Sequence, residues 1–150
     1  MAGTKNKTVA VWLALLGGSL GLHRFYLRGL GDWVGWLHPL PTALGLWDIE
    51  RVLAYGQDDP LSWVLIPLLG FTIAGCALTA IVYGLMAPAK WNARFNAGAD
   101  PEAAAGTTNW LTVFGIAASL MIGTGVLMAS IAYSFQHYFE YQIEEGRKIS

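Results

Sequence analysis

Three histidines, one cysteine and a few charged side chains set in oily sequence are the places where this chain could do chemistry. The densest is GLHRFYLRGLGDW, residues 21 to 33. His23 lies on this motif, and Arg24 is expected to be a fixed part of the hairpin, its planar fork satisfying backbone carbonyls left free where the first apolar run ends and the chain reverses. Asp32 stands on the far side of a glycine-rich reversal at Gly29 and Gly31. His38 lies inside an apolar run, in HPLP. A histidine at membrane depth can relay protons or bind metal. With His23 in the quoted stretch and His137 in the tail, no pair has ligand spacing, and no metal is expected. A neutral His38 bonded to a backbone carbonyl freed by Pro41 is the favoured reading. Asp48 ends the same run beside Trp47 and before Glu50-Arg51. An acid there is read as an interface anchor ahead of a buried partner, with Arg51 the nearest counter-charge. Cys76 sits alone in an apolar run, which excludes an intramolecular disulfide and a cysteine-based zinc site. There is no G-x-S-x-G, H-E-x-x-H or P-loop, so no catalysis and no cofactor are expected.

The elements that must position these residues are helices in a bilayer. The chain has 150 residues, 55% hydrophobic and 13% charged, against roughly 25% charged in soluble domains. Its apolar surface needs a solvent other than water. The net charge of −1 and the absence of a basic stripe exclude a nucleic-acid partner. Trp12, Trp33, Trp47, Trp63 and Trp110 fall near the ends of apolar runs, the position of an interfacial belt. Leu61–Ala87 and Trp110–Phe135 carry no charge over 27 and 26 residues, and about 20 suffice to cross. Asp58-Asp59-Pro60 opens the first of these, and Thr107-Thr108-Asn109 offers caps for the second.

Two earlier runs, Val9–Leu22 and Trp33–Trp47, are only about 22 Å long as helix. Run one reaches span length by continuing through His23, Arg24, Phe25 and Tyr26, with Arg24 snorkelling to headgroups. Run two is kinked by its prolines. A re-entrant hairpin is the alternative, and a cleaved signal peptide is a weaker one. The expected fold is an all-α integral membrane protein with four transmembrane helices, the first two a short helical hairpin. With four crossings, the N-terminus, the Asp48–Pro60 loop and the tail share a side. Lysine and arginine then divide five against four, and Lys5 and Lys7 tip the N-terminus inward. Residues 88–109 form the one long loop, where Trp91 and Phe95 suit a short interfacial helix. Small residues recur at helical spacing at Gly70, Ala74, Ala77 and Gly84. They recur again at Gly115, Ala118, Gly125, Ala129 and Ala132, with Ser119 and Gly123 alongside. Close helix packing is favoured over a pore lining. Tyr133, His137 and Tyr141 are four apart, so the last helix is expected to run on past the membrane.

The stretch KNKTVAVWLALLGGSLGLHRFYLRG, followed by an apolar run ending LGLWDIERVL, resembles the TM2 domain family. That pattern is a lysine-flanked helix, G-x-x-G-x-[HD]-R-F-Y, a second helix, and an aspartate after it. Gly18, Gly21, His23, Arg24, Phe25, Tyr26 and Asp48 stand at those places. The sequence departs from it at Arg28, where glycine is usual, and in the HPLP of the second helix. The resemblance implies a TM2-type hairpin domain over residues 5–55. Residues 56–150 then hold two further transmembrane helices and a C-terminal amphipathic tail. It implies a fold and a motif, not a reaction.

The expected function is a non-enzymatic, multi-pass protein of the plasma or inner membrane. Its hairpin would be an interaction or structural module, meeting lipid and a membrane-protein partner or a second copy of the chain. A small channel or transporter using His38 and the proline break is the alternative. A lipid-modifying enzyme is a third and weaker reading.

Overall fold

The computed structural model describes residues 3–56 and 59–149. Asp58, expected to help open the third apolar run, lies outside them. All regular elements among the described residues are helical. They are α1 (Lys7–Gly17), α2 (Leu22–Arg28), α3 (Trp33–Leu37), α4 (Pro39–Tyr55), α5 (Ser62–Leu85), α6 (Pro88–Phe95) and α7 (Trp110–Ile149). Short 3-10 turns occupy Gly18–Leu20 and Ala104–Gly106.

The axis of the fold is α5, whose 24 residues make a helix of about 36 Å. α7 packs along its length through small residues. A side-chain carbon on Gly70 would run into Ser130, one on Gly84 into Ile116, and one on Gly123 into Ala77. Half of the small-residue stripe of α7 therefore does what its spacing suggests. Gly125, Ala129 and Ala132 lie on its exposed side. Asn109 caps α7, its side-chain oxygen accepting from Thr112 N at 2.9 Å. The helix continues to Ile149, well past its apolar stretch.

Only two helices among the described residues are long and apolar enough to cross a membrane, Ser62–Leu85 and the apolar part of the last helix. Four are not found, because run one does not continue through His23–Tyr26. It ends in the 3-10 turn, Gly21 takes the left-handed conformation at φ 77°, and the chain reverses there. α2 runs back beside α1. Asn6 N donates to Tyr26 Oη at 2.8 Å, and Leu27 shares a cluster with Ala10, Met86 and Trp91. The reversal expected at Gly29 and Gly31 is also present, as the turn from α2 into α3, with Gly29 at φ 85°.

α1 and α4 thus lie end to end along α5, with α2 and α3 folded back beside them. α1 covers its C-terminal half, with Val11 and Ala14 against Ala80 and Gly18 against Cys76. α4 covers its N-terminal half, with Gly45 against Leu69 and Asp48 against Ser62. Thr42 Oγ donates to Ser19 O at 2.7 Å where the two meet. The N-terminal segment lies at the α6 end: Lys5 N donates to Asn96 Oδ1 at 2.7 Å, and Trp91 Nε1 donates to Lys5 O at 2.8 Å. Asp48 and Asp59 lie at the other end of α5. The N-terminal segment and the Asp48–Pro60 link thus lie at opposite ends of α5, where the four-crossing expectation would put them together. Trp91 is fully buried and serves as a core residue of this end rather than an anchor. Trp33, Trp47 and Trp110 remain well exposed, as a belt requires.

Candidate functional site

Gly18, Gly21, His23, Arg24 and Phe25 gather at the reversals that join α1, α2 and α3, whereas Tyr26 turns to the start of α1 and Asp48 lies farther along α4 against α5. Gly18 is buried against Cys76, whose Cβ would lie 2.6 Å from any added side-chain carbon. Gly21 meets the Gly35 carbonyl, which Pro39 cannot satisfy because it has no N–H to donate four residues on. A left-handed backbone and a carbonyl in contact make this a position for glycine alone. Gly35 in turn leaves room for the ring of Phe25, which lies 5.0 Å from that of Trp36. The F-Y pair therefore splits. Phe25 packs on α3, and Tyr26 turns to the start of α1, where the Lys5 ammonium lies 5.1 Å from its ring centre.

Arg24 is held rather than loose. Its Nε donates to Asp32 Oδ2 at 2.6 Å and its Nη2 to Asp32 Oδ1 at 3.1 Å. The fork closes the loop between α2 and α3 with the two-point geometry that lysine cannot reproduce. Arg24 is a fixed part of the hairpin, as expected, but its fork is taken by a carboxylate eight residues on instead of by freed carbonyls or headgroups. Arg28, by contrast, is exposed. Arg24→Lys is expected to lower the melting temperature of the detergent-solubilised protein by a few degrees, and Arg28→Lys to leave it unchanged. Equal melting of both variants and wild type would reduce Arg24 to a surface charge. The hydrogen bond from Arg24 holds the Asp32 carboxyl below the usual carboxylate range. That contribution is present above the ordinary aspartate value of about 3.9 and is lost as the pH falls through the lowered one.

His23 is 3% exposed, and its Nδ1 has no hydrogen-bond partner. The reversal between α2 and α3 brings His38 against it, the rings edge to face with centres 5.5 Å apart. Sequence spacing concealed this pair, since fourteen intervening residues fold into the α2–α3 reversal. His38 Nδ1 lies 2.8 Å from the Val34 carbonyl. The expected carbonyl contact is there, one turn before the histidine instead of at the position Pro41 frees. Among the described residues no three His, Cys, Asp or Glu side chains are grouped to hold a metal.

Asp48 departs from the interface reading. It is fully buried, and its Oδ1 accepts from Ser62 Oγ at 2.8 Å. Arg51 Nε stands 3.8 Å away, but that guanidinium bonds chiefly to Asp59 Oδ2, at 2.7 and 2.9 Å. The narrow buried line of α4, Thr42, Gly45 and Asp48, is what brings the carboxyl onto α5. Nearby, His137 is buried with its ring stacked 5.0 Å from Trp63 and 4.3 Å from Tyr133. The aromatic face foreseen on the last helix is thus partly an internal contact.

Lys7 was missed. It is fully buried, and its Nζ donates to Met86 O at 2.9 Å and Thr108 Oγ at 2.7 Å. A lysine ahead of an apolar run looks like any flanking charge, so no local signal marks it.

Residues 3–48 match the family model of the TM2 domain. No curated protein and no solved structure matches the chain. That match covers about the first third of the chain, and two helices of spanning length follow it, which is the make-up of a membrane protein.

Proposed function

We propose that this chain is a non-enzymatic, multi-pass protein of the cell membrane whose TM2 domain is an interaction or structural module. The observation that carries this reading is the division of the domain into two faces. Its motif side chains are spent inside the fold: Arg24 on Asp32, Phe25 on Trp36, Tyr26 on Asn6 and Asp48 on Ser62. Its outward face is apolar, with Leu30, Trp33, Trp36 and Leu40 each more than half exposed. A face of that kind meets lipid or another membrane-embedded helix, either a partner protein or a second copy.

The packing favours three crossings over the four expected from run lengths: α3 with α4, then α5, then α7. α1 and α2 form a re-entrant hairpin whose irregular turn is covered by α3, α4 and α5, as the hydrocarbon requires. In this arrangement the N-terminus and residues 88–109 share a face, and the tail lies on the other. Lys5, Lys7, Arg24, Arg28, Lys90 and Arg94, six of the nine basic residues, gather on the N-terminal face. By the positive-inside rule that face is cytoplasmic. Reporter fusions ahead of Met1, near Gly98 and after Ser150 test the arrangement. The first two should report the cytoplasm and the third the opposite side. Both termini on one side would restore four crossings.

A small channel or transporter is the second reading, supported by His38 at the broken helix beside a groove of about 450 Å³ lined by Cys76, Thr72 and Thr79. Purified protein in liposomes separates the two. The module reading expects no ion or proton flux above empty vesicles, and a reproducible flux lost in His38→Gln would establish transport.

A further inference from the structure

The α2–α3 contact is held by three small features: the Gly21–Gly35 approach, the Phe25–Trp36 ring pair and the Thr42–Ser19 hydrogen bond. At its centre, two histidines from different helices face each other with ring centres 5.5 Å apart. We propose that His23 and His38 form a proton-operated latch between α2 and the α3–α4 junction, closed while the pair carries no more than one proton and opened by the second.

The hydrogen-bond geometry sets the resting state. A carbonyl only accepts, so His38 Nδ1 must donate to Val34 O. In the neutral ring this leaves Nε2 bare. His23 Nδ1 is buried and unpartnered, on the side where it meets Gly18. Two neutral rings pack edge to face without cost. Two imidazolium ions at this separation repel, and burial removes the water that would screen them.

The surroundings offer no compensation. α1 contributes Gly18 beside His23, which has no side chain. α5 contributes Tyr83, its ring 6.2 Å from His23, and Cys76 beside Gly18, and neither is acidic at neutral pH. On α2 itself, Arg24 opposes a charge on His23. Asp32, before α3, favours one, but both of its oxygens are already occupied by Arg24. On the α4 side the near neighbours are Pro39 and Pro41, which are uncharged. Across the groove His38 faces Thr72, Cys76 and Thr79. The Thr72 and Thr79 hydroxyls donate to carbonyls of their own helix, so neither supplies an anion. That groove is also the route by which a proton reaches His38. His38 keeps helical angles, so α3 and α4 run on as one helix, but Pro39 and Pro41 supply no N–H there and the helix can bend away from α2 at that point.

The test uses the full chain in detergent, with ring signals of its three histidines followed by NMR from about pH 8 to about pH 3. His23→Gln, His38→Gln and His137→Gln assign the signals. The latch expects the pair to titrate in two steps separated by at least about one pH unit in the wild type. In each single variant the remaining partner should titrate in one step, above the second step of the pair. The melting temperature of the wild type should also fall further over that range than those of His23→Gln and His38→Gln, with His137→Gln falling like wild type. Two independent histidines with the same midpoint in wild type and variants would overturn the proposal. If a variant fails to fold, the wild-type curve decides alone: a single shared midpoint refutes the latch, and two separated steps support it.

Discussion

Gly21→Leu is expected to be among the most damaging single substitutions in the hairpin, and more damaging than Leu20→Ala next to it. Two separate costs add at residue 21. A residue with a side chain in the left-handed conformation loses about 1–2 kcal/mol. A side chain forced into a closed contact loses about 1–3 kcal/mol more. The contact here is the Gly35 backbone carbonyl, which cannot rotate aside as a side chain could. Gly29 separates the two terms. Its φ is also positive, 85°, with ψ at 173° in an extended region open essentially to glycine, so it carries a backbone cost of its own, and nothing lies within 4 Å of an added carbon. Gly29→Ala should therefore show the conformational cost alone, and Gly21→Ala both costs. Leu20 is about half exposed, 48%, so its truncation loses little buried contact. Thermal melts in detergent rank the set: Gly21→Leu lowest, then Gly21→Ala, then Gly29→Ala, with Leu20→Ala closest to wild type. If Gly21→Leu melts like wild type, the turn faces lipid and the reversal at Gly21 is wrong.

Lys7→Ala is expected to cost about 3 kcal/mol, the lower end for two hydrogen bonds made by a charged donor. The loss spreads over three elements. Met86 O, at the C-terminal end of α5, gives up its cation, which also balances the partial negative charge of that helix end. Thr108 loses the bond that ties the 96–109 segment to α1. The space of a long, fully buried side chain is left open. Lys5 is the internal comparison, since its structural contacts run mainly through its backbone. Lys5→Ala should melt within a degree or two of wild type. Equal melting of the two alanine variants would mean that Lys7 is only a flanking charge. Limited proteolysis gives a second readout, with faster cleavage in residues 96–109 of Lys7→Ala than of Lys5→Ala.

The long helices were legible because their signal is local and redundant. Uncharged stretches of 27 and 26 residues have one stable state in hydrocarbon, and Asn109 stands where a cap is needed. The motif residues were legible as a set for a different reason: GGSLGLHRFY is dense in types that serve close approach and paired contact. Their partners were not legible. Asp32 was noted only as flanking the turn, and Asp48 was assigned to the interface because its run ends there. Whether a carboxyl at a helix end is wet or buried depends on the neighbouring helix, and Ser62 is fourteen residues away. His23 and His38 were dismissed as a pair on spacing, a criterion that holds within one helix and fails across a reversal.

By itself the sequence determined that this chain is helical, that it belongs in lipid, where its two long helices run, and that residues 18–26 carry a TM2-type motif. These follow from composition and short-range pattern, which every neighbouring residue reinforces. Only the tertiary structure decided where the first run turns back, which end of α5 receives Asp48, and which charges are buried. Run one could have continued as helix through Tyr26, since nothing within it forbids that. It turns at Gly21 because the Gly35 carbonyl, the Thr42 hydroxyl and the Asn6 amide reward the reversed chain with contacts from distant residues. A choice between two locally acceptable backbones is settled by long-range contacts, and those exist only once α3, α4 and α5 are in place.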